Sequence, residues 1–145
     1  MNILVAVDLS PASEDVVEAA RLIAEPIGAT VYILHAAEPE PDFVGYDAGP
    51  EVVRTQVAQE LRREHREVQA LAEKLRNGGL NATALLVRGP TVETTLKEAE
   101  NLKAGLIVVG THGHGAVYDV LIGSYSAGII RRSKLPVLVV PIRET

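Results

Sequence analysis

The chain contains no cysteine and no tryptophan, and aromatic residues make up only 3% of its 145 residues. The absence of cysteine excludes disulfide bonds, thiolate metal sites and cysteine nucleophiles. Because aromatics are so few, the 47% of hydrophobic residues must be mostly Ala, Val, Leu and Ile. That composition favours buried parallel strands covered by helices with small side chains. A chain of this length predicts a single domain, residues 1–145, with one hydrophobic core.

The chain also lacks an excess of basic residues and a long hydrophobic run. Its formal net charge is −5, so we do not expect the basic face that a sequence-independent nucleic-acid binder requires. The longest apolar run, residues 135–142, is far shorter than the roughly 20 residues that span a bilayer. No basic segment followed by an apolar stretch opens the chain. We therefore expect a cytoplasmic protein with neither a membrane nor a nucleic-acid partner.

Strand patterns and helical patterns alternate along the sequence. The strand patterns cover residues 2–8, 30–37, 80–88, 104–110 and 136–141, and helical patterns begin at 10, 51, 91 and 124. This alternation predicts a three-layer, Rossmann-like α/β fold with a five-stranded parallel sheet, helices on both faces and right-handed crossovers. In the first helix, Ser10 is the predicted N-cap, Pro11 the first helical residue and Gly28 the stop.

Two strand patterns end in residues suited to a ligand site, and the glycines of the second suit a polyanion in particular. Asp8 closes the first, and a glycine-rich segment from Gly110 to Gly115 closes the fourth. In the strand order 3-2-1-4-5 these two ends are neighbours where the order reverses, which is where open α/β sheets bind ligands. Gly123-Ser124 follows at a helix start, where backbone amides and the helix dipole favour phosphate. The alternative is that these glycines only form turns.

The spacing within this segment is more specific than its composition. Gly110-x-x-Gly113, nine residues and then Gly123-Ser124 resembles the G-2x-G-9x-G-[S/T] motif of nucleotide-binding universal stress proteins. Similar landmarks recur at residues 3–8, 34–36, 87–90 and 135–140. The resemblance implies a Rossmann-like domain that binds ATP, or ADP or AMP, with or without Mg²⁺, and that usually forms a homodimer.

The resemblance also implies a set of binding residues. Asp8 matches the acidic position on the ribose side, and the backbone of Ala36 matches the position that reads the adenine. Glycines and Ser124 match the phosphate-binding positions. The full implied set is Ala6, Val7, Asp8, Ala36, Gly110, Thr111, His112, Gly113, His114, Gly115, Gly123, Ser124, Tyr125 and Ser126. On this basis, Gly113→Val should abolish nucleotide binding in a folded chain, and Ser124→Ala should weaken it about tenfold.

The histidines allow several interpretations. His112 and His114 could bind phosphate, could bind a metal if a third ligand were at hand, or could be ordinary loop residues. His35 lies within a strand pattern and is predicted to be a hydrogen-bonded core residue. His65 belongs to the charged seam of the helix predicted over residues 51–77, whose apolar stripe also carries Glu64.

Other nucleotide- and phosphate-handling folds do not match. A response-regulator receiver needs an acidic pair after strand one and a phospho-accepting Asp after strand three, and a P-loop needs Gly-Lys-[Ser/Thr]. Two functions remain. The first is a regulatory stress-response protein that acts through nucleotide-dependent changes of conformation or of protein partner. The second is a slow Mg²⁺-dependent ATPase built around Asp8. We favour binding, because no general base accompanies Asp8.

Two further segments carry predictions. Strand 136–141 is short and apolar, and as an unpaired edge it would form a homodimer by pairing with its two-fold mate. The alternative is an interior strand terminated by its prolines.

Residues 38–50 are rich in Pro, Asp, Glu and Gly around Phe43 and Tyr46. They predict a mobile lid or partner-facing loop, and deletion of residues 40–48 should leave folding intact.

Overall fold

The computed structural model describes residues 1–37, 50–111 and 122–142. Within these ranges strands and helices alternate, as the sequence predicts. The strands are β1 (Asn2–Ala6), β2 (Thr30–Ala37), β3 (Asn81–Arg88), β4 (Leu106–Gly110) and β5 (Val137–Val140). The helices are α1 (Ser13–Ile27), α2 (Pro50–Asn77), α3 (Thr91–Asn101) and α4 (Ser124–Arg132).

The five strands form one parallel sheet in the order β3-β2-β1-β4-β5. The predicted fold and strand order are therefore confirmed. The order reverses between β1 and β4, because the chain moves outward from β1 to β3 and then returns to the other side of β1. β5 is an edge strand, so the interpretation of residues 136–141 as an interior strand is wrong.

Strand β1 divides the hydrophobic core into two layers. Ile3, Val5 and Val7 belong to the cluster under α1 and α2, whereas Leu4 and Ala6 belong to the cluster under α3 and α4. All five side chains are at most 8% exposed. A strand covered by helices on both faces needs apolar residues at consecutive positions, which explains its unbroken apolar run.

Helix α1 begins at Ser13, two residues later than the sequence predicts. The Ser10 amide donates to Asp8 Oδ1 over 2.9 Å, and the Ser13 hydroxyl donates to the same oxygen over 3.3 Å. Ser10 and Pro11 form a turn before the helix, and the N-cap is Ala12, so the prediction of Ser10 as the N-cap is wrong. The Asp8 carboxylate instead bonds to this turn and to the first helical residue. At the other end Gly28 adopts φ +64° and its N–H bonds to the last turn, as predicted for a C-cap.

Helix α2 is much longer than the strands it covers. Its 28 residues rise about 42 Å, whereas the eight residues of β2 span about 26 Å. The buried stripe that packs on the sheet lies in its second half, with Val68, Ala72 and Leu75 at most 2% exposed. No helix in the described part of the chain combines the length and the apolar character of a membrane span.

Candidate functional site

Those predicted binding residues that the structure describes lie at the carboxyl ends of β1, β2 and β4 and at the start of α4. The pairing of β1 with β2 runs to Ala6 opposite Leu34, and its pairing with β4 runs only to Val5 opposite Val108. The strands on the two sides of β1 therefore separate at this end of the sheet. A crevice at a reversal of strand order is the usual ligand position in open α/β sheets.

The end of β2 presents a backbone donor and acceptor beside this crevice. In a parallel ladder, alternate residues direct both N–H and C=O to the same neighbouring strand. The Leu34 carbonyl accepts the Val7 amide over 2.9 Å, whereas the Ala37 carbonyl accepts the Gly89 amide over 3.0 Å. Ala36 must therefore face the β1 side, where β1 has already left the ladder. Among the described residues, none forms a hydrogen bond with the N–H or the C=O of Ala36 on that side. We call these two backbone groups the Ala36 edge.

The start of α4 is fastened to the end of β4. The Gly123 amide donates to the Thr111 carbonyl over 2.7 Å, and the buried Ser126 hydroxyl donates to the Gly110 carbonyl over 2.6 Å. Gly123 is the N-cap and has no side chain to satisfy the first amides of the helix. The hydroxyl proton of Ser126 is used in the backbone contact, so this residue positions the turn, while Ser124 is exposed beside it.

Tyr125 fixes the same turn from behind. Its hydroxyl lies 2.6 Å from Oγ1 of Thr95, which in turn donates to the Thr91 carbonyl over 2.8 Å. This chain of bonds joins the first turn of α4 to α3. Burial, with a smaller contribution from the negative charge of Asp8, raises the pKa of Tyr125 to about 12. The phenol is therefore neutral at physiological pH and acts as a structural hydrogen-bonding group.

Asp8 stands exposed at the mouth of the crevice and has a structural task in addition to its predicted one. Its Oδ1 holds the entrance of α1 through Ser10 and Ser13. The residue between, Leu9, adopts φ +63°, a left-handed conformation that costs a non-glycine residue on the order of 1 kcal/mol. The carboxylate therefore stabilises a sharp turn, which keeps the end of β1 clear of the sheet.

His35 contacts two elements at once. Its Nδ1 lies 3.0 Å from the Val7 carbonyl, and its Nε2 lies 2.8 Å from Oε2 of Glu64 on α2. Both side chains are about 85% buried (15% and 14% exposed). The contact between Nε2 and Oε2 does not have the angle of a hydrogen bond, and it is an ion pair only when the imidazole is protonated. The prediction of a hydrogen-bonded core histidine is confirmed.

Sequence reasoning did not single out Glu64 or Thr95 for the site. Glu64 interrupts the apolar stripe of α2, where a buried carboxylate needs a partner; that interruption was the available signal. Thr95 is completely buried on α3, and nothing in its local sequence distinguishes it. The predicted residues His112, Gly113, His114 and Gly115 lie outside the described residues. Within the described ranges, no three His, Asp or Glu side chains are grouped to hold a metal ion.

Comparison with known proteins identifies the family. The sequence model of the universal stress protein family matches residues 1–141. The chain belongs to the universal stress protein family. A universal stress protein of Thermus aquaticus is 34% identical over 140 residues, which cover 96% of this chain and 97% of the relative. A universal stress protein A homologue of Coxiella burnetii is 32% identical over 144 residues, covering 99% and 97%.

Solved structures agree with this universal stress protein fold. The protein MJ0577 superposes with a TM-score of 0.83 at 23% identity and covers 99% of this chain and 97% of its own. A universal stress protein solved in complex with cAMP superposes with a TM-score of 0.69 at 25% identity, with coverage of 97% and 96%. The first likeness concerns the fold alone, and the second comes from a protein that holds an adenine nucleotide.

Proposed function

We propose that this universal stress protein binds an adenine nucleotide, ATP foremost, at the carboxyl ends of β1, β2 and β4 and acts as a nucleotide-dependent regulatory protein. The observation that carries the proposal is the Ala36 edge, a backbone donor and acceptor left side by side where β1 leaves the ladder. It is supported by the cAMP complex of a relative that is 25% identical.

The Ala36 edge suits adenine in particular. Adenine presents an amino group that donates and, next to it, a ring nitrogen that accepts, so it can bond to a carbonyl and an amide of one residue. Guanine presents a carbonyl and a ring N–H in the corresponding places, with the opposite polarity. An edge of fixed polarity therefore distinguishes the two bases, because a mismatch leaves buried polar groups unpaired.

The remaining parts of the nucleotide have their own places in the proposal. The ribose lies toward Asp8, and the phosphates lie toward the start of α4. Ser124 and the backbone amides that follow Gly123 form the N-terminus of this helix, which favours negative charge. The glycine-rich segment through Gly113 completes the phosphate site as the motif implies. Ser126 and Tyr125 hold this turn in place through Gly110 and Thr95. Mg²⁺, if bound, would accompany the phosphates near Asp8.

The regulatory part of the proposal follows from what the site contains. In the described residues, Oδ1 of the Asp8 carboxylate is engaged by the Ser10 amide and the Ser13 hydroxyl, so this oxygen has a structural role. Such a site favours holding a nucleotide over hydrolysing it. The output we propose is a change of conformation or of protein partner, in a cytoplasmic homodimer. A single-turnover assay with ATP and Mg²⁺ tests the alternative of a slow ATPase.

Two measurements test nucleotide binding directly. Mass spectrometry of small molecules released from freshly purified, denatured protein should detect an adenine nucleotide. Calorimetric titration should then show binding of ATP and weaker binding of both adenosine and GTP, the first lacking phosphates and the second lacking the correct base edge. Equal affinity for ATP and GTP would contradict the adenine assignment, and equal affinity for ATP and adenosine would contradict the phosphate assignment.

A further inference from the structure

The side chain of His35 contacts the carbonyl of Val7, the residue that directly follows β1. A carbonyl oxygen can only accept, so the Val7 carbonyl, 3.0 Å from Nδ1, requires a proton on that nitrogen. The other nitrogen, Nε2, faces Glu64 Oε2 at 2.8 Å. Glu64 thus fixes the ring from the α2 side, and the ring donates to Val7 from Nδ1.

Without the ring, the same carbonyl has another natural donor. Continuing the ladder past the bond from the Val7 amide to the Leu34 carbonyl would bring the Ala36 amide onto the Val7 carbonyl. That bond is not formed among the described residues, and the imidazole takes its acceptor instead. The Ala36 amide therefore has no acceptor in β1, because the pairing with β2 ends one hydrogen bond before it, at the bond from the Val7 amide to the Leu34 carbonyl.

We infer that His35, held by Glu64, is a positioning residue that determines base specificity by keeping the Val7 carbonyl away from the Ala36 amide. The inference rests on the proposed function, because it is adenine that would use the released amide. His35 itself need not touch the nucleotide. Its role is to leave a donor beside the Ala36 carbonyl, so that the edge matches adenine.

The energetics of the pair favour a functional role over a stabilising one. Glu64 lies on the stripe of α2 whose next members, Val68, Leu71 and Leu75, pack apolar side chains against the sheet. A buried ion pair often contributes no more stability than apolar residues of similar volume. The buried pair is therefore weakly explained by stability, whereas control of the Val7 carbonyl requires a fixed donor at that place.

Two double variants test the inference in the full-length protein. His35→Leu with Glu64→Leu removes the ring donor and the buried carboxylate together, so no charge is left unpaired. His35→Asn with Glu64→Leu restores an amide donor of nearly the same shape as leucine. The two proteins differ only in whether residue 35 can donate to Val7, and circular dichroism verifies that both are folded.

The first readout is base selectivity. We expect the Leu/Leu protein to bind ATP about tenfold more weakly than the wild type, the value of roughly one hydrogen bond, and to lose preference for ATP over GTP. The ratio of its affinity for ATP to its affinity for adenosine should equal that of the wild type, because neither substitution changes the proposed phosphate site at the start of α4. The Asn/Leu protein should regain most of the selectivity. A purely structural loss would weaken all three ligands together and would overturn the inference.

The second readout needs no nucleotide. Hydrogen exchange of the Ala36 amide, followed by NMR, should be fast in the wild type and in the Asn/Leu protein. In the Leu/Leu protein it should be at least tenfold slower, because the Val7 carbonyl becomes its acceptor. Equal exchange in all three proteins would overturn the inference. If the wild type binds no adenine nucleotide at all, the proposed function fails, and this readout still shows whether His35 controls the ladder.

Discussion

The hydroxyl of Thr95 lies between two oxygens in a completely buried position, the Thr91 carbonyl and the phenol of Tyr125. Because Thr95 has a single hydroxyl proton and donates it to the carbonyl, Tyr125 must donate to Thr95. The phenol proton therefore holds α4 to α3. Ionisation of the phenol would remove that bond and place a negative charge in the core, near Asp8. Burial of the phenol, and to a smaller extent the negative charge of Asp8, raise the pKa of Tyr125 to about 12.

The raised pKa makes stability depend on pH in the alkaline range. The unfolded chain loses the phenol proton near pH 10.0, and the folded chain retains it to about pH 12. The contribution of Tyr125 is therefore fully present below pH 10 and is lost as pH rises toward 12, by about 3 kcal/mol at most. Urea unfolding at pH 8 to 12 should show a steeper loss in the wild type than in Tyr125→Phe. Parallel curves for the two proteins would contradict the assignment.

Substitution of Ser126 tests the proposed phosphate site at the start of α4 separately from the proposed adenine site at the Ala36 edge. Ser126→Ala leaves the buried Gly110 carbonyl without its donor, which should cost about 1 kcal/mol of unfolding free energy. The shifted turn should weaken ATP binding about tenfold, with adenosine binding unchanged. Titrations of both ligands into both proteins check this, and an equal loss for ATP and adenosine would show that the turn does not hold the phosphates.

At the scale of elements, α1 depends on a residue outside it. Asp8 belongs to the segment after β1, yet its carboxylate receives the Ser10 amide and the Ser13 hydroxyl at the helix entrance. The helix N-terminus is electropositive, so a carboxylate there is favourable both as an acceptor and as a charge. The strand end and the helix start are thus coupled through one side chain.

This coupling predicts different results for two substitutions of Asp8. Asp8→Asn keeps an acceptor oxygen and should lower the unfolding free energy by only a few tenths of a kcal/mol, whereas Asp8→Ala removes the acceptor and should cost about 1–2 kcal/mol. Denaturant midpoints of the two variants and the wild type measure the difference. If Asn and Ala are equally destabilising, the acceptor role is wrong and the negative charge is what matters.

At the scale of the whole molecule, β5 leaves one side of the sheet open. The Ile107 amide donates to the Pro136 carbonyl and the Thr111 amide to the Val140 carbonyl. Even-numbered residues of β5 therefore bond to β4, and the amides of Val137 and Val139 point outward. An apolar edge with outward amides favours pairing with a second copy of the same strand.

The direction of these amides gives a specific test of the homodimer we propose. Val139→Pro removes an outward amide that the sheet does not use, and proline is tolerated on that side of an edge strand. The variant should fold and sediment as a monomer at micromolar concentration. Val139→Ala, which loses a similar amount of packing but keeps the amide, should remain dimeric. A dimeric Val139→Pro protein, or a monomeric wild type, would contradict pairing through β5.

The sequence predicted those features that depend on local pattern. Consecutive apolar residues in β1 arise because helices cover both faces of the sheet, and the positive φ of Gly28 arises from the end of α1. The edge position of residues 136–141 is different, because it followed from the predicted strand order 3-2-1-4-5. The first two features are determined by neighbours within a few residues or by burial alone.

The features that sequence did not predict depend on contacts between distant positions. The start of α1 is set by the carboxylate of Asp8, although Ser10-Pro11 has the composition of a cap. The pairing of His35 with Glu64 joins two elements, and periodicity within either one cannot reveal it. The Ala36 edge exists only because β1 leaves the ladder after Ala6, and that register is a property of the assembled sheet.

Because β1 lies at the centre of the sheet, it must wait during synthesis for one of its two partner strands. β1 is the first strand made, yet it pairs with β4, and Asn2 donates to the Leu102 carbonyl 100 positions away. A ribosome adding 5–20 residues per second needs about 3–14 s to pass from Ala37, where β2 ends, to Leu106, where β4 begins. During that interval one side of β1 is an apolar strand edge without its partner, a surface on which nascent chains aggregate. The crevice that we propose as the nucleotide site is completed later still, after the ribosome has passed Ser126 at the start of α4.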